Sequence, residues 1–152
     1  MTVTLPDGTK TGILNPDISR LRAEVARLRL HGRILVLALP LNDLAAAYNG
    51  TGPEFFPDAI RAKLDSAARP FLPAVMVHDV DFTLSDGTVG SFRSANRRIL
   101  VNCILCALAA HPWYSWRRYA LIIEAWAIYR ACTQFGWIPW ILAYNKNTKQ
   151  ER

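Results

Sequence analysis

Apolar residues three or four positions apart predict a first helix that begins at Asn15-Pro16 and ends at Gly32. The residues that recur at this spacing are Ile18, Leu21, Val25 and Leu28. Asparagine is a common N-cap, proline suits the first helical position, and glycine is a common stop. The other face carries charged residues, so we expect a helix docked by one face only.

Shorter elements are predicted between this helix and the middle of the chain. The apolar run 34–39 is compatible with a buried strand or with a continued helix, and Pro40 ends it. A short helix is predicted to end at Ala47. The glycines and prolines of residues 48–53 predict a loop, and residues 57–68 are predicted to form another helix.

Three helices are predicted to form the core between residues 73 and 136. The first spans about 73–84, the second about 94–110, and the third, rich in aromatic residues, 113–135. Gly136 is the natural end of the third helix. Because strand signals are few, we predict a mainly α-helical fold.

The length of 152 residues and the 51% apolar content suit one domain with a real core. Within it, residues 1–69 are expected to form an arm or an added helical layer, 70–144 the helical core, and 145–152 a frayed polar tail. The N-terminus lacks the regions of a signal peptide, and charges interrupt every long apolar segment. We therefore expect a soluble cytoplasmic product without a transmembrane helix.

The net charge of +6 lies in the second half of the chain. Residues 1–86 hold 9 basic and 10 acidic residues, whereas residues 87–152 hold 9 basic and 2 acidic ones. Such a half is attracted to anionic phospholipid, nucleic acid or an acidic protein patch. Charge alone does not choose among the three. Nucleic-acid binding is a weaker alternative for the function, since no recognition motif supports it.

Cys103 and Cys106 have the Cys-x-x-Cys spacing that can begin a zinc or redox site. No second ligand pair follows them, and the surrounding stretch is apolar. The sequence therefore predicts two buried thiols on one helix face and no disulfide framework.

His78 and Asp79 are the main candidates for chemistry. Histidine acts as a general base near neutral pH, and a carboxylate binds a hard cation such as calcium. Asn96, on the next predicted helix, can hold the second ring nitrogen of His78, so the set suits metal-assisted ester hydrolysis. The alternatives are a core histidine bonded to a backbone carbonyl and, for Asp79 and Asp81, a solvated acidic edge.

The aromatic stretch that begins at Trp113 has two interpretations. Its helical spacing favours a role in the core. Trp113 and Trp116 beside Arg117 and Arg118 are also typical of a contact with an anionic membrane surface or with a partner protein.

Three segments carry a resemblance to known families: Val77-His-Asp-Val-Asp-Phe82, Ser94-Ala-Asn-Arg-Arg-Ile99 and the stretch from Trp113 to Trp137. They resemble an uncharacterised family of tailed-phage proteins with a His-Asp-x-x-Tyr motif, an Ala-Asp-x-x-Phe helix and an aromatic helix ending in Phe-Gly-Trp. More distantly, their order is similar to that of bacterial secreted phospholipases A2. The likeness covers about residues 70–140.

The phospholipase resemblance implies a core like that of phospholipase A2, with His78 as general base and Asp79 as a calcium ligand. Asn96 then takes the place of the aspartate that orients the histidine, and Phe82 the place of the motif tyrosine. Phe82 lacks the tyrosine hydroxyl, Asn96 is neutral, and the glycine-rich calcium loop is missing. These departures weaken the case for activity.

Two functions remain as hypotheses after these observations. One is a calcium-assisted lipid-ester hydrolase, often degenerate, that acts in lysis or entry. The other is a non-catalytic virion or assembly protein that binds phage structural proteins, or itself, through residues 1–69. The phage resemblance implies a location in the host cytoplasm or in the virion.

Overall fold

The computed structural model describes residues 17–48 and 68–150, and all regular structure in these ranges is helical. The helices are α1 Ile18–Arg27, α2 Arg33–Ala38, α3 Leu41–Ala47, α4 Leu72–Thr83, α5 Val89–Ala110, α6 Trp116–Phe135 and α7 Trp137–Gln150, with a 3-10 turn at Arg69–Phe71 before α4. The predicted mainly α-helical class is confirmed. The predicted start at Asn15-Pro16 and residues 57–67 of the predicted helix 57–68 lie outside the described residues.

Helix α4 is the centre of the molecule. Eight of its residues are buried, including Ala74, Met76 and Val80, so it is apolar on nearly every side. Helices α1, α2 and α3 pack against it as a helical layer, and α5 and α7 also contact it. A helix that is apolar all round is stable only when neighbours cover it, which explains this position.

The first helix ends earlier than predicted, at Arg27 instead of Gly32. Arg29 and Gly32 both have positive φ, at 51° and 83°, so the chain turns sharply and restarts as α2. A Cβ atom at Gly32 would lie 2.9 Å from Cδ of Arg98, so the turn needs glycine for its close approach to α5. The ambiguous run 34–39 is therefore largely helical, and no strand is formed there.

Helix α5 begins at Val89, five residues before the predicted start at about residue 94. Thr88 is the N-cap, and its side-chain oxygen accepts a hydrogen bond from the Ser91 amide at 3.2 Å. Asp86 accepts a further bond from the Thr88 amide. This capping network satisfies the first turn and allows the helix to start at once after Gly87.

Helix α6 ends at Phe135 with Gly136 as its cap, as predicted, but it begins at Trp116 and not at Trp113. The segment after Gly136, for which no separate helix was predicted, forms helix α7. Its Trp140 is buried in a small cluster with Phe92. Pro139 is compatible with this helix because the first-turn amides of a helix have no intrahelical partner.

Helix α6 packs along α5 and touches α7, and its main contacts do not include α4. The three core helices therefore form a row, α4 against α5 and α5 against α6. None of the described helices is both long and apolar enough to span a membrane. A core like that of phospholipase A2 stays a prediction.

Candidate functional site

His78 lies in the interior, between α4 and α5, with 9% of its surface exposed. Burial lowers its pKa to about 4, against a hydrogen bond with the backbone of Ala95 that raises it, and the Arg98 charge lowers it further. Its ring lies 4.6 Å from that of Phe82. The imidazole is thus neutral at pH 7 and packed against protein, as in the alternative interpretation of a core histidine.

Asn96 does not hold the ring of His78. In the part of the chain that the structure describes, Nδ1 of His78 and both amide atoms of Asn96 have no hydrogen-bond partner. The reason is rotational: His78 meets the backbone of Ala95, whereas Asn96 is turned by about 100° around α5. Asn96 lies toward α6, beside Tyr129 and Thr133. The expected orienting contact is therefore not formed.

Asp79 faces α6 and not the imidazole side of α4. Burial raises the pKa of the Cys132 thiol to about 11, and the negative charge of Asp79 raises it further, so the two groups are close. Calcium takes six to eight oxygen ligands, of which one carboxylate supplies at most two. Among the described residues there is no group of three side chains suited to a metal. Calcium at Asp79 stays a prediction.

Asp81 is buried, although the sequence allowed it to be part of a solvated edge. It forms an ion pair with Arg98 of α5. Burial raises its pKa to about 6, although the charge and hydrogen bond of Arg98 act in the opposite direction. The sequence contained one signal for the burial of Asp81. It lies three residues after His78, so the two side chains are on the same side of α4.

Asn102 was missed by the sequence analysis and holds two parts of the fold together. It is fully buried on α5. Its Oδ1 accepts from the amide of His31 at 2.8 Å, and its Nδ2 donates to the carbonyl of His31 at 3.0 Å. The side chain thus replaces the backbone partners that the turn between α1 and α2 lacks. The Asn102 contact is structural.

Cys103 and Cys106 are buried free thiols, as predicted.

The outer face of α6 carries large apolar side chains in water, which corrects the preferred interpretation of this stretch as core. Four of them form what we call the α6 stripe: Trp116, Tyr119, Ile123 and Trp126. At 100° per residue they lie about 100–180° around the helix from the buried Ala125. Trp116 is 73% exposed and Ile123 70%.

Charged and aromatic neighbours extend this surface at the start of α6. Trp113 is exposed, and the guanidinium carbon of Arg117 lies 5.9 Å from the centre of the Trp116 ring. Arg118 is half-buried and lies toward the core side of the helix. Of the four predicted contact residues, Trp113, Trp116 and Arg117 are therefore open to a partner.

No protein-family model matches the chain, and comparisons with curated proteins and with solved structures found no match. The geometry of the described residues is therefore the basis for its functional interpretation. The resemblance to phage proteins and to phospholipases stays a prediction.

Proposed function

We propose that this chain is a non-catalytic assembly protein that pairs with a second copy of itself through the α6 stripe. The observation that carries the proposal is the exposed apolar face of α6. The face that a helix turns to solvent is normally polar. On α6 this face instead carries Trp116, Ile123 and Trp126. In the described structure α5 and α7 cover only one side of α6.

The state of His78 supports a non-catalytic role. A general base needs access to the proton that it removes, through hydrogen-bond distance or one water molecule. His78 is buried, and burial lowers its pKa to about 4, which makes it a weak base. The expected contact with Asn96 is absent. The imidazole is better explained as part of the packing between α4 and α5.

The size of the exposed surface suits a protein interface. Large aromatic side chains bury about 150–250 Å² each, so the exposed parts of the stripe and of Trp113 amount to several hundred square ångströms. One side of a stable interface buries about 800 Å². Isolated exposed apolar residues need no explanation, but a continuous patch of this kind marks an interaction site.

The stripe is complementary to itself when two copies pair in opposite directions. A two-fold axis at Ile123 brings Trp116 of each copy beside Arg130 of the other, since both are seven residues from the axis. Arg130 is exposed and forms no ion pair with any described residue. Its guanidinium can therefore lie over the indole of Trp116, a favourable contact of a cation with an aromatic ring.

A second copy fits this face better than a lipid surface does. Arg130 and Gln134 continue the line of the stripe, so its apolar part covers only about three turns before polar groups follow. A second chain provides aromatic faces for Arg130, whereas the hydrocarbon of a membrane provides none. If the phage resemblance holds, the dimer would be a component of the virion or of its assembly.

The first prediction is that the protein is a dimer that Ile123→Glu dissociates. Two buried carboxylates at the axis would face each other without partners, so we expect the dimer to weaken by at least about 100-fold. The measurement is sedimentation equilibrium over a range of concentrations. Ile34→Glu is the matched control, because Ile34 is 74% exposed on α2, away from the stripe, and this variant should remain dimeric.

A wild-type protein that stays monomeric would contradict this proposal. If that monomer binds anionic vesicles and Ile123→Glu abolishes the binding, the surface serves a membrane instead. The hydrolase hypothesis makes a separate claim, namely cleavage of phospholipid with calcium that His78→Gln abolishes. Our proposal expects no cleavage by either protein.

A further inference from the structure

A surface cavity of about 280 Å³ lies between α5 and α6. It adjoins the α6 stripe, because the ring of its lining residue Tyr129 lies 5.8 Å from that of Trp126. Arg93, Asn96 and Arg97 line it from α5, and Tyr129 and Thr133 line it from α6. The three residues on α5 are spaced i, i+3, i+4 and the two on α6 are spaced i, i+4, so each set shares one helix face. Every residue that lines the cavity has a polar group.

The two arginines give the cavity a positive charge that no described carboxylate neutralises. Neither Arg93 nor Arg97 forms an ion pair with any residue that the structure describes. Both side chains are exposed, so their guanidinium groups can turn toward a bound anion. Guanidinium groups bind phosphate and carboxylate through paired hydrogen bonds.

Asn96 is the second, independent sign of a ligand. Only 2% of its surface is exposed, yet neither amide atom has a hydrogen-bond partner among the described residues. A buried amide without partners costs on the order of 1–3 kcal/mol, so such a group calls for an explanation. Asn96 presents both a donor and an acceptor, and a ligand that satisfies it must offer both as well.

We propose that this cavity binds a small phosphorylated ligand that carries a hydroxyl group. The phosphate would lie between Arg93 and Arg97. Because the amide atoms of Asn96 are closed to solvent in the free chain, binding would turn this side chain toward the cavity. The ligand hydroxyl would then donate to its Oδ1, and its Nδ2 would donate to a phosphate oxygen. The hydroxyl of Tyr129 adds a donor on the α6 side, whereas that of Thr133 already donates to the Tyr129 carbonyl at 2.8 Å and can only accept from the ligand. The volume suits a group of about the size of glycerol phosphate.

A phosphate together with a hydroxyl group occurs in soluble phosphate esters and in the headgroup of phosphatidylglycerol. The experiment separates these two sources. The first arm titrates full-length protein with glycerol 3-phosphate and follows backbone amide shifts by NMR. The second arm measures sedimentation with phosphatidylglycerol vesicles against phosphatidylcholine vesicles. We expect saturable binding in at least one arm, and in the first arm shifts centred on residues 93–97 and 129–133.

Variants connect the binding to the cavity. Arg93→Gln/Arg97→Gln should weaken binding at least about tenfold, because two charge-assisted contacts are lost. The control Arg20→Gln/Arg29→Gln removes the same charge from exposed positions on and after α1, and should weaken it less than about twofold. Asn96→Ala tests the amide contact directly. If that variant fails to fold, Tyr129→Phe tests the same site, and it should lower the binding affinity by about threefold or more.

Three results would overturn the proposal. The first is no saturable binding in either arm at ligand concentrations up to about 10 mM. The second is an equal loss of affinity in the control Arg20→Gln/Arg29→Gln, which would show that the net charge of the protein alone attracts the ligand. The third is sulfate binding as tightly as glycerol 3-phosphate, since sulfate at neutral pH has no hydroxyl for Asn96.

Discussion

His78 and Asp81, three residues apart on α4, have pKa values that burial shifts in opposite directions. That of His78 falls from 6.5 to about 4, and that of Asp81 rises from 3.8 to about 6. The stability that neutral His78 contributes is present above pH 6.5 and is lost as the pH falls to 4. The contribution of protonated Asp81 is present below pH 3.8 and is lost as the pH rises to 6. The two dependences cancel over most of this window.

We therefore predict that single substitutions reveal a pH dependence that the wild type hides. In Asp81→Asn only His78 titrates, so the free energy of unfolding should fall as the pH drops from 6.5 to 4. In His78→Leu it should fall as the pH rises from 4 to 6. Each change is on the order of 3 kcal/mol, at about 1.4 kcal/mol for each tenfold change in proton affinity.

The measurement is denaturant unfolding of both variants and of the wild type at several pH values between 4 and 7. Other acidic groups affect all three proteins equally, so the differences between the curves carry the result. If the free energy of unfolding depends on pH in the same way in all three proteins, the assignment of these pKa shifts to burial of His78 and Asp81 is contradicted. Arg98, which faces both residues, is the charged group whose replacement should alter both slopes.

At the scale of elements, two local signals predicted helix boundaries correctly, whereas Gly32 did not mark the end of α1. Pro73 and Gly136 place the start of α4 and the end of α6 to within about a residue. Helix α7 was missed because Gly136 and Pro139 suggest an interruption, although proline does not disturb the first turn of a helix. The rotation of α5 was also beyond the sequence, and that rotation decides whether Ala95 or Asn96 meets His78.

The contact between Asn102 and the turn at His31 is the second feature at this scale, because it joins the layer of α1 and α2 to α5. We predict that Asn102→Leu lowers the free energy of unfolding by on the order of 2–3 kcal/mol, since the His31 amide and carbonyl lose their partner. Chemical denaturation measures this loss. Asn42→Leu, at an exposed position of α3, is the control and should change stability by less than about 0.5 kcal/mol. Equal stability of both variants would show that water replaces the contact.

At the scale of the whole molecule, α6 is the helix whose apolar outer face no other described helix covers. Its apolar and aromatic content suggested a core helix, and the sequence could not show that the protein provides a neighbour on one side only. The position of α6 at the end of the row α4, α5, α6 leaves the stripe on the outside. Which side of such a helix is covered depends on tertiary packing and not on its own residues.

The proposed pairing of two copies would link this surface to stability, because a partner that binds only the folded state stabilises it by mass action. We predict that the melting temperature of the wild type rises with protein concentration, by roughly 2–5 °C over a hundredfold range for a domain of this size. Trp116→Ser should remove this dependence, because it deletes the group that meets Arg130 across the two-fold axis. Trp137→Ser, at a less exposed tryptophan on α7, should retain it. Scanning calorimetry at several concentrations measures both. A concentration dependence that persists in Trp116→Ser would place the contact between copies elsewhere on the molecule.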